Sequence, residues 1–124
     1  MTYKPDAYPD LSPYPIVEDA QAVLGFVAAV FDARPGRVVH NEDGTIMHAE
    51  AHVGDSLLMI GQDPGGVPAH LHLYLPDPDA TLARALAAGG TLVQAMSESG
   101  DGDRRGGVSA PDGTTWWISR QVTT

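Results

Sequence analysis

The order of local signals along this chain occurs twice, and that repetition limits the fold more than any other feature. In "EDAQAVLGFVAAVFDA", Ala20, Val23, Leu24, Val27, Val30 and Phe31 recur at spacings of three and four. Such spacing predicts an amphipathic helix over about 19–32, with acidic residues at its positive end. After Pro35-Gly36, "RVVH" reads as a strand, "NEDG" as a turn and "TIMHAEAHV" as its hairpin partner, and "GD" leads into a buried strand "SLLMIGQ". Past "DPGGVP" the order starts again. "HLHLYL" is a strand, and "PDPDATLARALAAGG" is a helix with Asp77 as N-cap, Pro78 at its first position and Gly89 closing it. "TLVQAM" is a strand, and the glycines and mixed charges of "SESGDGDRRGG" predict a long mobile loop. "GVSA", the turn "PDG" and "TTWWISRQV" close the second half. With "YPIV" ahead of the first helix, each half reads strand, helix, three strands.

One register supports the duplication. Asp19 and Asp77 stand 58 residues apart before the two helices, Ile60 and Ile118 stand 58 apart in the closing strands, and "GD" at 54–55 falls opposite "DG" at 112–113. An internal repeat is the reading that covers all of these matches. The expected organisation is a single domain over 1–124, made of modules 12–62 and 69–120. An irregular arm over 1–11 precedes them, in a stretch rich in proline and tyrosine.

Sixteen acidic residues against seven basic ones give a net charge of −9, and no basic cluster exceeds Arg104-Arg105. Binding to nucleic acid through phosphate neutralisation is therefore not expected. No apolar run approaches the roughly 18 residues that cross a bilayer, and the first residues lack the pattern of a secretory leader, so the expected place is the cytoplasm with no membrane partner. The chain has no cysteine, so a metal would have to be held by His, Asp or Glu.

A βαβββ unit used twice, with "VEDA" before the first helix, "GDSLLMI" closing the first half, "LHLYLPDPDATLARALAAGGT" opening the second and "APDGTTWWIS" closing it, resembles the vicinal oxygen chelate superfamily. That superfamily includes glyoxalase I, extradiol dioxygenases, and fosfomycin and bleomycin resistance proteins. The resemblance implies an α+β fold of two half-barrels with helices outside, ligands held on the concave inner face, and a homodimer. It also implies where a divalent metal would bind, on the first and last strands of each module. Those positions fall on His70 and Trp117 in the second module, and on Ser12 and either Leu58 or Met59 in the first. Three of the four cannot supply an imidazole or a carboxylate, so the usual metal site is expected to be absent and no cofactor is expected.

The same register places His70, His72 and Tyr74 on the ligand face, with Leu71, Leu73 and Leu75 under the helices. Trp117 would share that face and offer a stacking surface, while Trp116 by alternation lies in the core. On the other module His48, Glu50 and His52 alternate with Ala49 and Ala51. They are a solvated face, a pocket wall, or part of a His/Glu metal cluster completed by His70 or His72. Asp103-Arg104 reads as a surface ion pair, with a charged group at the pocket rim as the alternative. The expected function is metal-independent binding of a small organic molecule, aromatic or cationic, by sequestration, as in the bleomycin resistance branch that confers antibiotic resistance, with His48, Glu50, His70, His72, Tyr74 and Trp117 as ligand-binding residues. The alternative is an enzyme: a metal-dependent glyoxalase-like lyase or isomerase, a dioxygenase with non-standard ligands, or an acid–base catalyst using His70 or His72.

Overall fold

The computed structural model describes residues 3–98 and 100–122. Its elements run β1 (Ile16–Val17), α1 (Ala20–Phe31), β2 (Arg34–His40), β3 (Ile46–Val53), β4 (Ser56–Gln62), β5 (His70–Tyr74), α2 (Pro78–Ala87), β6 (Thr91–Glu98), β7 (Asp103–Ser109) and β8 (Thr115–Gln121). Strand, helix and three strands do occur twice. The second helix starts as the sequence predicts, with the Asp77 carboxylate accepting from the Ala80 N–H, and the first starts at Ala20 with Asp19 as its cap, accepting from the Ala22 N–H, each at 3.2 Å. These caps satisfy amide groups that the helix itself leaves unpaired.

Two four-stranded sheets result, ordered β1-β4-β3-β2 and β5-β8-β7-β6. In each, the first strand runs parallel to the last and the other pairs are antiparallel. The repeat extends to the pairing register. Ile16 lies opposite Gly61, and Tyr74 opposite Ser119, each residue 58 positions after its counterpart. One strand departs from it: Glu50 faces Met59, but Trp117, the counterpart of Met59, faces Gly107, a slip of one residue on β7.

One helix covers one face of each sheet. Val23, Val27 and Val30 of α1 join Ala49, Ala51 and Ile60 in the core, and Leu82 and Ala85 of α2 join Val108, Trp116 and Ile118. The seam between the modules is built on the helix side. Phe31 lies 4.9 Å from Trp116 between ring centres, and Arg84 Nε donates to the Val30 carbonyl at 3.2 Å, near the negative end of α1.

Three expectations need correction. β2 begins at Arg34 and runs through Pro35 and Gly36, which a sheet tolerates because β2 is an edge strand with irregular pairing between Pro35 and Val38. More consequentially, the stretch expected to be a mobile loop is largely strand, since β6 continues to Glu98 and the chain is again extended from Asp103 in β7. The glycines of β7 are present for space. A Cβ on Gly107 would stand 2.7 Å from the Trp117 ring, and one on Gly106 would stand 3.1 Å from both Leu82 and Met96. Arg104 does not pair with Asp103; it makes two bonds to Asp79 of α2, at 2.8 and 2.9 Å. Among the described residues no helix is long and apolar enough to cross a membrane.

Gly107→Ala tests the spatial role of that glycine. Pushing the Trp117 ring off β7 should cost about 1–3 kcal/mol in urea unfolding, and should change the near-ultraviolet circular dichroism of the tryptophans. A fully neutral substitution would contradict the close packing.

Candidate functional site

Because Ala49, Ala51 and Val53 point into the core, His48, Glu50 and His52 project from the helix-free face of β3. Glu50 is only 4% exposed there. One carboxylate oxygen accepts from the Tyr8 hydroxyl at 2.5 Å and the other from His48 Nε2 at 2.7 Å. Burial pushes the Glu50 pKa up, but the bonds from Tyr8 and His48 and the charges of His48 and Arg37 outweigh it, and the group ends below its ordinary value. The N-terminal arm is therefore tied over this wall. Tyr14 packs edge-on to His48, 5.6 Å between centres, in the space that Gly61 leaves free. Met59 faces Glu50 across the sheet while Leu58 is buried in the core, so the fourth position implied by the family resemblance is Met59.

The second wall is built on β5, β7 and β8. Leu71 and Leu73 pack against the core, which turns His70, His72 and Tyr74 to the open face, Tyr74 with 63% of its surface exposed. The Trp117 indole N–H donates to His70 Nδ1 at 3.2 Å, and the two rings are within 12° of parallel. Ser119, fully buried, places its hydroxyl 3.0 Å from His72 Nε2 and accepts from Arg105 Nε at 3.0 Å. Arg105 also donates to Asp103 at 2.8 Å and to Asp101 at 2.9 Å, and the Tyr74 hydroxyl donates to the same Asp103 oxygen at 2.8 Å. Burial, followed by the Arg105 charge, holds the His72 pKa below its ordinary value against the opposing pull of Asp103. The bond to Asp103 raises that of Tyr74. Beside Tyr74 a pocket of about 740 Å³ opens between Leu75, Asp101, Asp103 and Arg120.

All six expected binding residues lie on these two walls: His48 and Glu50 on the first, and His70, His72, Tyr74 and Trp117 on the second. Sequence reasoning missed Tyr8, Arg105 and Ser119, and it weighed Asp103 only as a rim charge or as the partner of Arg104. Ser119 was accessible through its spacing of two from Trp117, whereas Arg105 and Asp103 were hidden in a stretch that reads as loop, and nothing marks Tyr8.

The donor chemistry does not fit a divalent ion. Ser12, Met59 and Trp117 offer a hydroxyl, a thioether and an indole beside the single imidazole of His70. The His/Glu cluster completed by His70 or His72 does not form. Among the described residues no three His, Asp or Glu side chains converge, since the two walls belong to separate sheets and both Glu50 oxygens are already engaged.

Two sheets, each a βαβββ unit with one helix-covered face and one side-chain-lined open face, define the architecture of the vicinal oxygen chelate superfamily. Residues 13–118 match the glyoxalase-like domain family, and the chain belongs to it. Uncharacterised proteins of Mycobacterium bovis and Mycobacterium tuberculosis are 34% identical over 128 residues, covering 92% of this chain and 84% and 75% of theirs. Among solved structures, TioX from a Micromonospora species superposes with a TM-score of 0.78 at 21% identity, covering 91% of this chain and 98% of its own. The fosfomycin resistance protein FosX of Listeria monocytogenes superposes with a TM-score of 0.73 at 12% identity over 94% of each chain. A glyoxalase/bleomycin resistance protein of Catenulispora acidiphila reaches 0.66 at 23% identity, over 89% of this chain and 96% of its own. At these identities the solved structures establish the shared fold.

Two of the shifted groups, His72 and Glu50, contribute to the acid sensitivity of the folded chain. His72 takes up its proton at lower pH in the folded chain than in the unfolded one. Stability it confers is thus complete above the ordinary value near 6.5 and is lost as pH falls from there through the folded value. Glu50 follows the same sign below its ordinary 4.5. Urea unfolding followed across pH should show both declines. His72→Asn should remove the upper one and Tyr8→Phe should shrink the lower, and a flat profile from pH 7 to 4 would contradict these assignments.

Proposed function

We propose that this protein binds a small aromatic molecule without a metal and acts by sequestering it, with no chemical step. The observation that carries this reading is Trp117: at a position where the resemblance implies a metal ligand, the chain has an indole laid beside His70. A flat ring with a few polar groups at its edge suits recognition of an aromatic ligand. The words "bleomycin resistance" and "fosfomycin resistance" in the names of structural neighbours agree with a drug-binding role. The second wall is open in the single chain, with Tyr74 largely exposed, and a second copy of the chain is the partner proposed to close it. A chain without cysteine suits the reducing cytoplasm, where such a binder would intercept its ligand.

Thermal unfolding in the presence of bleomycin, a cationic glycopeptide, and flavone, an uncharged aromatic ketone, tests the reading. A bound compound at 100 times its dissociation constant should stabilise the protein by about 2.7 kcal/mol, and Trp117→Ala should abolish the effect while leaving the compound unaltered in either case. Absence of stabilisation by both, or conversion of either compound to a product, would contradict sequestration. Sedimentation equilibrium should give a dimer, and a monomer at micromolar concentration would contradict the closed wall.

A further inference from the structure

On the second wall the positions of two imidazole protons follow from the neighbouring donors. An indole N–H only donates, so the Trp117 bond to His70 requires a lone pair on Nδ1 and leaves the ring proton on Nε2. His72 is set the opposite way round. Arg105 Nε also only donates, and it occupies one lone pair of the Ser119 oxygen. Ser119 is fully buried, so its single hydroxyl proton needs an acceptor within the protein, and His72 Nε2 lies 3.0 Å away. A proton on His72 Nε2 would bring two N–H groups onto the Ser119 oxygen and strand the hydroxyl proton in the interior. The His72 proton is therefore on Nδ1. A second proton on that ring would also place a cation beside Arg105, and burial and the Arg105 charge both oppose it.

From this geometry we infer that the second wall offers two neutral N–H donors, His70 Nε2–H and His72 Nδ1–H, beside the Trp117 ring, and that it takes a flat, uncharged molecule carrying carbonyl or ring-nitrogen acceptors. The inference rests on the pocket reading above and narrows its ligand. The net charge of −9 suggests a cation, but on this wall the acidic groups are engaged locally: Asp101 and Asp103 both pair with Arg105, and Asp103 also accepts from Tyr74. The same arrangement works against a metal. Ligation through His70 Nε2 would move the proton to Nδ1, where it would meet the indole N–H head on. Trp117 thus replaces one ligand and disables the neighbouring one.

Long-range proton–nitrogen correlation NMR on nitrogen-labelled protein above pH 7 reads the tautomers without any ligand. His70 should show a bare Nδ1, and His72 a bare Nε2 with its proton on Nδ1, the less common form of a free imidazole. In Ser119→Ala, His72 should revert towards the common form. The wild-type spectrum decides the matter even if that variant folds poorly: His72 protonated on Nε2, or doubly protonated, overturns the inference. Flavone should bind roughly five- to tenfold more tightly to the wild type than to Ser119→Ala, as expected for one lost hydrogen bond, and more tightly than the planar cation proflavine. Tighter binding of proflavine with the tautomers as stated overturns the ligand class and leaves the pocket standing. Binding of neither overturns the pocket, and the inference falls with it.

Discussion

Each sheet of this protein has one helix to cover it, and the rest of the structure follows from that constraint. A helix covers one face, so the opposite face must be wet, lined by polar groups or closed by something else. Strand side chains alternate, so committing Ala49 and Ala51 to the core commits His48 and Glu50 to the open face, and committing Leu71 and Leu73 does the same for His70, His72 and Tyr74. The candidate site is a direct consequence of which residues the helices bury.

On that shared frame the two modules have diverged by exchanging space for chemistry. Gly61 leaves room for Tyr14 to pack against His48; at the equivalent place the second module has Ser119, whose hydroxyl links Arg105 to His72. Across from Met59 stands Glu50, while across from Trp117 stands Gly107, which makes room for the indole. The first wall is consequently a buried carboxylate tied to the arm by Tyr8, and the second an aromatic surface edged by histidines.

Much of this was legible in the sequence, because it depends on local patterns. The helix at 78–87 with its cap at Asp77 and the alternation along β3 and β5 follow from spacing, and the family resemblance adds which face is the open one, sending Trp117 there and Trp116 into the core. What escaped depends on contacts between segments distant in sequence. Gly106 and Gly107 read locally as flexibility, and only the Leu82, Met96 and Trp117 side chains packed against them show why they lie within a strand. Arg104 finds Asp79 and Arg105 finds Ser119 for the same reason, once β7 exists to carry them. Tyr8 reaches Glu50 across 42 residues from an arm with no periodic signal.

The central claim is that Trp117 has turned what is, by family resemblance, a metal position into part of an organic-ligand wall. Isothermal titration of the chelator-stripped protein with zinc and nickel ions tests it most directly. The account predicts no saturable, stoichiometric binding, and the same trace for His70→Ala as for the wild type. Stoichiometric uptake of either metal that disappears in His70→Ala would contradict it.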